Sequence, residues 1–214
     1  MNVLSVNVGV PREVPHDGGT VRTSIFRTPV SGRVRVHELG LEGNESADLE
    51  VHGGISKAVY VYPSEHYTFW WTHLGVPNLP WGAFGENLTT EGILEEEVCA
   101  GDRLRIGTVE FAVTQPRMPC YKLGVRHHRP SIVREFLQSR RSGFYLAVIT
   151  PGHIERGDTI HHTWRSPHGL TIPELVDLYV GDTPPVDRLR IAAAIPELSE
   201  SWRTRFQERI AAQE

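Results

Sequence analysis

Cysteine is scarce in this chain, and its scarcity restricts the metal chemistry that the protein can carry out alone. Only Cys99 and Cys120 occur among 214 residues. Neither a CxxC pair nor a zinc-finger spacing is present, which argues against a structural zinc site built on thiolates. An iron–sulfur cluster held by four cysteines of this chain is excluded by count. A disulfide between the two cysteines is possible in principle, but nothing in the sequence indicates export to an oxidising compartment.

The sequence also lacks an excess of basic residues and any long apolar run. Its 22 Lys and Arg against 26 Asp and Glu give a net charge of −4, whereas nucleic-acid binding through phosphates needs clustered positive charge. No apolar stretch approaches the roughly 20 residues that span a bilayer, and the first residues do not have the pattern of a signal peptide. We therefore expect a cytoplasmic protein with neither a nucleic-acid nor a membrane partner.

Over its first two thirds the sequence has a pattern typical of β-structure. Alternating or β-branched runs, separated by Gly, Pro and Asp, predict strands at Asn2–Val8, Val21–Arg27, Arg33–Leu39, Ala58–Tyr62, Arg103–Thr114, Tyr145–Thr150 and Asp158–Trp164. Gly107-Thr108 predicts a hairpin turn within the fifth run. Two short helices are expected, one beginning near Ser64 and one over Ser131–Gln138.

The pattern changes near residue 166. Thr171 and Glu174 have the spacing of a capping box at the start of a helix. Two more helical stretches follow it, at Val186–Ala194 and Ser199–Ala212. We therefore expect a β-rich domain over residues 1–166 and a small three-helix domain over residues 167–214. The smaller unit has too few residues to be expected to fold without a surface on which to pack.

Cys120 is the residue best placed to carry chemistry. It ends the segment Gln115-Pro116-Arg117-Met118-Pro119-Cys120, in which the two prolines fix φ and favour extended geometry in their predecessors. We therefore predict a rigid, non-helical turn after a strand. A thiol on a stiff loop near Arg117 suits a metal ligand or a nucleophile. Free cysteine is also among the most buried residue types, so this segment alone is compatible with a structural thiol.

Two glycine-bounded segments could contribute to a binding site. In His52-Gly53-Gly54-Ile55-Ser56-Lys57 the adjacent glycines allow backbone N–H groups to approach an anion, and Lys57 adds a positive charge. The same residues also suit an ordinary turn, and the segment matches neither G-x-x-x-x-G-K-[ST] nor G-x-G-x-x-G. In Gly82–Gly92, Asn87 and Thr89 offer donors and acceptors for the edge of a heterocycle, although such residues are common in turns.

In combination, these segments resemble the MOSC domain, a family named for the C-terminal part of molybdenum cofactor sulfurases. The likeness is greatest to its stand-alone bacterial YiiM-type branch, which carries a short C-terminal helical domain. The blocks that match in order and spacing are Val51–Val59, Phe84–Thr89, Gly101-Asp102, Gln115–Leu123 and Gly143–Tyr145. The chain departs from its relatives at Gly43-Asn44-Glu45-Ser46, where they typically show Gly-Asp-Glu-Gln, so an acidic side chain is missing at Asn44.

The resemblance implies a β-barrel of MOSC type that binds a molybdenum cofactor of the molybdopterin type. Cys120 would be the thiolate ligand of molybdenum and hence the catalytic residue, with the dithiolene of the pterin supplying other sulfurs. The implied cofactor-binding residues are His52, Gly53, Gly54, Lys57, Asn87, Thr89 and Arg117. Among these, Lys57 and Arg117 suit the cofactor's phosphate, whereas Asn87 and Thr89 suit the pterin or the substrate.

By the same resemblance, the expected activity is reduction of N-hydroxylated compounds, such as hydroxylaminopurines, to amines. Because the chain has neither cluster ligands nor a nucleotide motif, a separate electron-donating reductase is expected as a partner. The alternative is a carrier of molybdenum cofactor or sulfur without turnover. A third possibility makes Cys120 a metal-free nucleophile with His52 or His127 as base, although no feature of the chain places a base beside the thiol. The C-terminal helices could serve solubility, homodimer formation or covering of the pocket.

Overall fold

The computed structural model describes residues 1–47 and 53–213. The described residues are mainly β, with six short α-helices and two 3-10 helices. The strands are β1 (Asn2–Val8), β2 (Arg12–His16), β3 (Gly19–Thr23), β4 (Thr28–Pro29), β5 (Val34–His37), β6 (Gly40–Leu41), β7 (Val59–Pro63), β8 (Leu88–Glu91), β9 (Arg103–Ile106), β10 (Val109–Pro116), β11 (Phe144–Thr150), β12 (Gly152–Ile154) and β13 (Ile160–Trp164). The α-helices are α1 (Glu65–Leu74), α2 (Tyr121–His127), α3 (Ile132–Ser139), α4 (Ile172–Val180), α5 (Val186–Ala193) and α6 (Glu200–Ala211), and the 3-10 helices are Ile55–Lys57 and Glu95–Glu97.

One large sheet organises the β-rich part. Its strand order is β13-β9-β10-β11-β7-β8-β1-β4. Within it β7 and β8 run parallel, and α1 lies in the crossover between them. Strands β12, β5 and β6 form a second sheet, and β2 pairs with β3 in a separate hairpin. The predicted strand over Asn2–Val8 and the predicted turn at Gly107-Thr108 are confirmed.

The expected barrel is not closed. The two ends of the large sheet approach each other at an isolated bridge between Asn2 and Thr159. Next to it the backbone N–H of Val3 donates to the carbonyl of Asp158 at 2.9 Å, and the N–H of Gly157 donates to the carbonyl of Val3 at 2.8 Å. The N–H of Ile160 likewise donates to the carbonyl of Met1 at 2.9 Å. The segment that faces β1 here is the turn leading into β13, in which Gly157 has φ of 95°. A turn cannot continue a strand ladder, so no continuous ladder closes the sheet within the described ranges.

Strand β7 separates two packed regions because successive side chains of a strand point to opposite faces. Val59 and Val61 belong to the main apolar core between the sheet and the C-terminal helices. Tyr60 and Tyr62 point the other way, into an aromatic cluster. That cluster also contains Tyr67, Trp70, Phe84 and Phe136, from α1, the following loop and α3. Ile25 and Tyr145 pack against this cluster and also line the cleft described below.

The C-terminal helices share the main core with the sheet. Leu175 of α4, Leu189 of α5 and Phe206 of α6 are fully buried and belong to the same cluster as the strands. The predicted capping box does not form at α4, since Thr171 makes no side-chain cap hydrogen bond. The carboxylate of Glu174 instead accepts a hydrogen bond from Arg188 of α5 at 2.7 Å. No helix in the described ranges is both long enough and apolar enough to cross a membrane.

Candidate functional site

A cleft opens beside the turn between β10 and α2. It contains about 610 Å³ of space not filled by protein atoms, part of it open to solvent. Its walls come from the β3–β4 connection, residues 46 and 47, β11, and the β10–α2 turn. The lining residues are Thr23, Ser24, Ile25, Arg27, Ser46, Ala47, Lys57, Gly85, Arg117, Met118, Cys120, Lys122 and Tyr145.

Cys120 lies at the end of the β10–α2 turn and contributes to this cleft. Residues 117–120 are irregular and α2 begins at the next position, so the predicted non-helical turn is confirmed. Cys120 itself is extended, with φ of −124° and ψ of 169°, and its carbonyl accepts from the N–H of Leu123 at 2.9 Å in the first turn of α2. Its side chain is half-buried rather than enclosed in the core. A ligand in the cleft can therefore reach Cys120.

Cys99 has a different environment. It is also a half-buried thiol, but its backbone bridges to Thr171 and its N–H donates to the carboxylate of Asp102 at 2.9 Å. Burial, together with the nearby Asp102 charge, raises the pKa of the Cys99 thiol. It does not line the cleft. Cys99 therefore lies at the junction between the sheet and the C-terminal helices rather than in the cleft.

Arg117 lies almost completely inside the protein, with 6% of its surface exposed. Its guanidinium carbon lies 5.1 Å from the centre of the Tyr60 ring and 5.2 Å from that of Phe136. Burial opposes protonation, but the neighbouring ionisable groups Tyr60, Tyr145, Cys120 and Tyr62 together outweigh it, and the pKa of Arg117 is raised. The Nη1 atom is buried and has no hydrogen-bond partner among the described residues. Such an unpaired donor is costly, which makes a bound acceptor group a natural partner for it.

Arg27 forms the opposite part of the same site, on the connection between β3 and β4. Its Nη1 donates to the carbonyl of Gly85 at 2.5 Å and to Oδ1 of Asn87 at 2.8 Å. Burial lowers the pKa of Arg27 to about 10, and the charge of Arg117 acts in the same direction. At neutral pH Arg27 is still a cation. Its Nε and the hydroxyl of Ser24 are buried without a partner in the part of the chain that the structure describes.

The position of Arg27 depends on a glycine. Gly85 has φ of 75°, in the left-handed region, and a Cβ added there would lie 2.8 Å from Cγ1 of Ile25. Glycine therefore allows the loop before β8 to approach the β3–β4 connection. The carbonyl of Gly85 can then accept from Arg27.

Positive charge dominates the walls of the cleft. Arg27, Lys57, Arg117 and Lys122 all line it, whereas none of its described lining residues is Asp or Glu. Lys122 is itself largely buried, with 8% of its surface exposed. Opposite charge stabilises buried cations, so the cleft is suited to an anionic ligand.

Asn87 and Thr89 lie behind the cleft surface. Asn87 Oδ1 accepts from Arg27 and from the N–H of Tyr60 at 3.0 Å, while its Nδ2 donates to the carbonyl of Asn7 at 3.3 Å. Thr89 donates to the buried carboxyl of Glu86 at 2.9 Å and accepts from Asn7 Nδ2 at 3.1 Å. Neither residue lines the cleft. In this structure their hydrogen bonds stabilise the wall of the cleft against which Arg27 is bound.

The other sequence candidates fall in three places. Lys57 lines the cleft at the end of the 3-10 helix Ile55–Lys57, and its N–H donates to the carbonyl of Gly54 at 3.0 Å. Gly54 has φ of 91° and precedes that helix, directly after Gly53. His52 lies outside the described residues.

His127 is not placed as a base for Cys120. Its Nε2 is 3.0 Å from the carbonyl oxygen of Ala83, and its ring stacks on Phe84 with 5.3 Å between centroids. Burial lowers the pKa of His127 to about 4. It is absent from the lining of the cleft. The described residues also include no group of three or more His, Cys, Asp or Glu side chains arranged to hold a metal ion.

Sequence reasoning did not identify Ser24 and Arg27 as site residues. The run Val21–Arg27 was predicted as one strand, but β3 ends at Thr23, whose Oγ1 accepts from the N–H of Ile25 at 3.2 Å. This local side-chain bond competes with continued strand pairing. A Thr-Ser pair at the end of a β-branched run was the available signal for that turn.

Comparison with known proteins is consistent with this arrangement. The family model for the MOSC domain matches residues 48–161, and that for the YiiM-like, 3-alpha helix domain matches residues 170–213. The Bacillus subtilis (strain 168) protein YflK is 36% identical over 208 residues, which are 97% of this chain and 94% of that protein. The crystal structure of YiiM from Geobacillus stearothermophilus is 35% identical, with a TM-score of 0.83 over 98% of each chain.

A third relative is much longer. A Gibberella moniliformis (strain M3125 / FGSC 7600) protein named as a reductase is 36% identical over 146 residues, which are 67% of this chain but only 26% of that protein. The family matches together extend over the sheet and the C-terminal helices. The chain therefore belongs to the MOSC domain family, and its C-terminal helices are of the YiiM-like three-helix type.

Proposed function

We propose that this protein is a molybdenum-cofactor-dependent oxidoreductase that reduces N-hydroxylated compounds, such as hydroxylaminopurines, to the corresponding amines. The observation that carries the proposal is the presence of Cys120 and Arg117 in one cation-lined cleft, with Arg117 Nη1 buried and lacking a partner among the described residues. Membership of the MOSC family supports a role with molybdenum cofactor, and the relative named as a reductase supports redox chemistry.

The residues present fit such a cofactor. A thiolate is the kind of soft ligand that molybdenum accepts beside dithiolene sulfurs, and Cys120 lines the cleft. Lys57 and Arg117 would hold the negatively charged phosphate of the cofactor. Nη1 of Arg117, which has no partner among the described residues, supplies a donor that such a phosphate would satisfy.

When bound, the cofactor would supply a centre that accepts oxygen from an N–OH group and is restored by two electrons. Overall, the reaction consumes two electrons and two protons and releases an amine and water. The chain supplies proton donors beside the cleft. Burial raises the pKa of Tyr145, so its hydroxyl keeps its proton at neutral pH. Tyr145 and Lys122 both line the cleft, and we assign them as donors to the leaving oxygen.

Two separate cysteine substitutions provide the test. Cys120→Ser and Cys99→Ser are each expressed in a host that makes molybdenum cofactor, and molybdenum per chain is measured together with the melting temperature. Cys120→Ser should lose molybdenum and activity with an artificial electron donor while its melting temperature is retained. Cys99→Ser should keep both its molybdenum and its activity. Full molybdenum occupancy and activity in Cys120→Ser would refute the proposal.

Two further outcomes bear on the details. Stoichiometric molybdenum bound through Cys120 without turnover of any hydroxylamine would favour a carrier of the cofactor. The expected electron donor is a separate reductase. Reduction of a hydroxylamine by purified protein and NADH alone would therefore contradict the need for that partner.

A further inference from the structure

The cleft contains three of the buried polar atoms that lack a partner among the described residues. They are Ser24 Oγ, Arg27 Nε and Arg117 Nη1. Buried donors are almost always paired, and leaving them unpaired is destabilising. Three such atoms in one cleft indicate a shared partner that accepts hydrogen bonds from two guanidinium groups and a hydroxyl.

The charges specify the chemistry of that partner. Arg117 is close enough to lower the pKa of Arg27, and none of the described lining residues is acidic. A neutral acceptor would satisfy the donors but leave the repulsion between the two cations. A tetrahedral oxyanion satisfies both because it carries negative charge and several acceptor oxygens.

The guanidinium of Arg27 is already oriented for this contact. Its Nη1 is held by the carbonyl of Gly85 and by Oδ1 of Asn87, which leaves the Nε side of the group for a ligand. An arginine held in this way loses little conformational freedom when it binds. Ser24 lies three positions before it on the same connection and lines the same cleft.

We propose that Ser24, Arg27 and Arg117 form an oxyanion subsite that binds a phosphate monoester group. Ser24 and Arg27 precede the segment matched by the MOSC family model, residues 48–161. The N-terminal part of the chain thus adds two donors to the site. The phosphate belongs either to the pterin cofactor or to a nucleotide substrate, and the subsite itself does not depend on the reduction proposed above.

The subsite is tested by calorimetric titration of inorganic phosphate into the full chain purified from a host without molybdenum cofactor. Ser24→Ala and Arg27→Gln should each weaken phosphate binding by about tenfold or more, the usual effect of a lost charge-assisted hydrogen bond. Arg22→Gln is the matched control, since Arg22 is an exposed cation on β3 that does not line the cleft. Its affinity for phosphate should equal that of the unaltered chain.

Phosphate binding that is absent at about 10 mM, or equal in the unaltered, Ser24→Ala and Arg27→Gln chains, would overturn the subsite. Arg27→Gln loses bonds to Gly85 and Asn87, so its fold must be checked by circular dichroism. Ser24→Ala removes a hydroxyl that has no partner in the described chain and should fold normally. Ser24→Ala therefore tests the phosphate subsite even if Arg27→Gln does not fold.

Cofactor-loaded protein distinguishes the two sources of the phosphate. If loaded chain no longer binds inorganic phosphate and Ser24→Ala retains less molybdenum, the subsite holds the cofactor. If loaded chain still binds phosphate, Ser24→Ala should raise KM for a phosphorylated N-hydroxy nucleotide and leave KM for the free base unchanged. Failure of all turnover would count against the proposed reduction while leaving the phosphate titration intact.

Discussion

Replacement of Arg117 by methionine separates a role in folding from a role in ligand binding. In the ligand-free chain the change removes two cation–π contacts, to Tyr60 and Phe136, each stabilising by about 2 kcal/mol when desolvated, and the side-chain hydrogen bond to Tyr145. It also removes a buried donor without a partner among the described residues, which costs about 1–3 kcal/mol, and it relieves repulsion with Arg27. Methionine keeps an unbranched apolar side chain against the two rings.

These contributions offset one another in part in the absence of ligand. We expect the free energy of unfolding of Arg117→Met, measured in urea without cofactor or phosphate, to fall by no more than about 2 kcal/mol. Ligand binding should respond differently because the partner of Nη1 is lost. Phosphate affinity and retained molybdenum should each fall by about tenfold or more. Arg134→Met, at an exposed position on α3, is the matched control and should leave both unchanged.

An optical measurement reports on the same substitution. The pKa of Tyr145 is raised by burial, and the charge of Arg117 partly offsets that rise. Tyrosine ionisation should therefore shift to higher pH in Arg117→Met, as followed by absorbance during alkaline titration. A loss of more than about 3 kcal/mol in the ligand-free variant, combined with unaltered phosphate affinity, would refute this reasoning. Arg117 would then serve the aromatic cluster rather than a ligand.

Three other predictions concern the scaffold of the site. Gly85→Ala should destabilise the protein by about 2–4 kcal/mol in urea unfolding, because φ is 75° and the new Cβ would lie 2.8 Å from Ile25; a change below about 0.5 kcal/mol would contradict this. Thr89→Val leaves Nδ2 of Asn7 without its acceptor and should cost about 1–3 kcal/mol, whereas Thr89→Ser should cost much less; equal losses would exclude the hydroxyl as the cause. His127 has a pKa of about 4 against an ordinary 6.5, so between these values the unfolded chain binds more protons and stability falls as pH drops, by up to about 1.4 kcal/mol per unit. His127→Gln should lose that slope, and identical slopes for the two proteins would show that the histidine does not titrate as described.

Elements specified by local pattern were predictable from the sequence. The helix that begins after Ser64 was expected from a polar residue before an apolar stripe, and so was a helix over Ser131–Gln138, which the structure has at Ile132–Ser139. Helix α2 was not expected, because its residues Tyr121–His127 have no complete apolar stripe and follow two prolines. Its first turn forms through the bond from Leu123 N–H to the carbonyl of Cys120.

Long-range pairing was less accessible. Strand β8 (Leu88–Glu91) was assigned to a loop because Asn and Thr suit turns, but it is paired on both sides, with β7 and with β1. The closed barrel was expected but not found for the same reason, because no local sequence pattern shows that the segment opposite β1 is a turn. Sheet registers depend on contacts between residues far apart in the chain, which period-two alternation does not encode.

The candidate site divides along the same line. Chemical type and family blocks directed attention to Cys120, Arg117 and Lys57, and these three line one cleft. Those blocks do not specify which way a buried side chain points. The position of Ser24 and Arg27 follows from the early end of β3, which only the folded chain reveals.

The loop before β8 explains how the cleft can hold donors that have no partner among the described residues. Glu86 is fully buried, and burial raises the pKa of its carboxyl. Its oxygens accept from Gly82 N–H at 2.8 Å, Phe84 N–H at 3.0 Å and the hydroxyl of Thr89 at 2.9 Å, and Tyr67 also donates to it. So many bonds to one carboxyl fix the loop in a single conformation. The loop in turn fixes the acceptors that orient the guanidinium on the opposite wall. The cost of leaving ligand-binding donors unpaired is thus met by a rigid network outside the cleft, and a ligand that enters finds those donors already aligned.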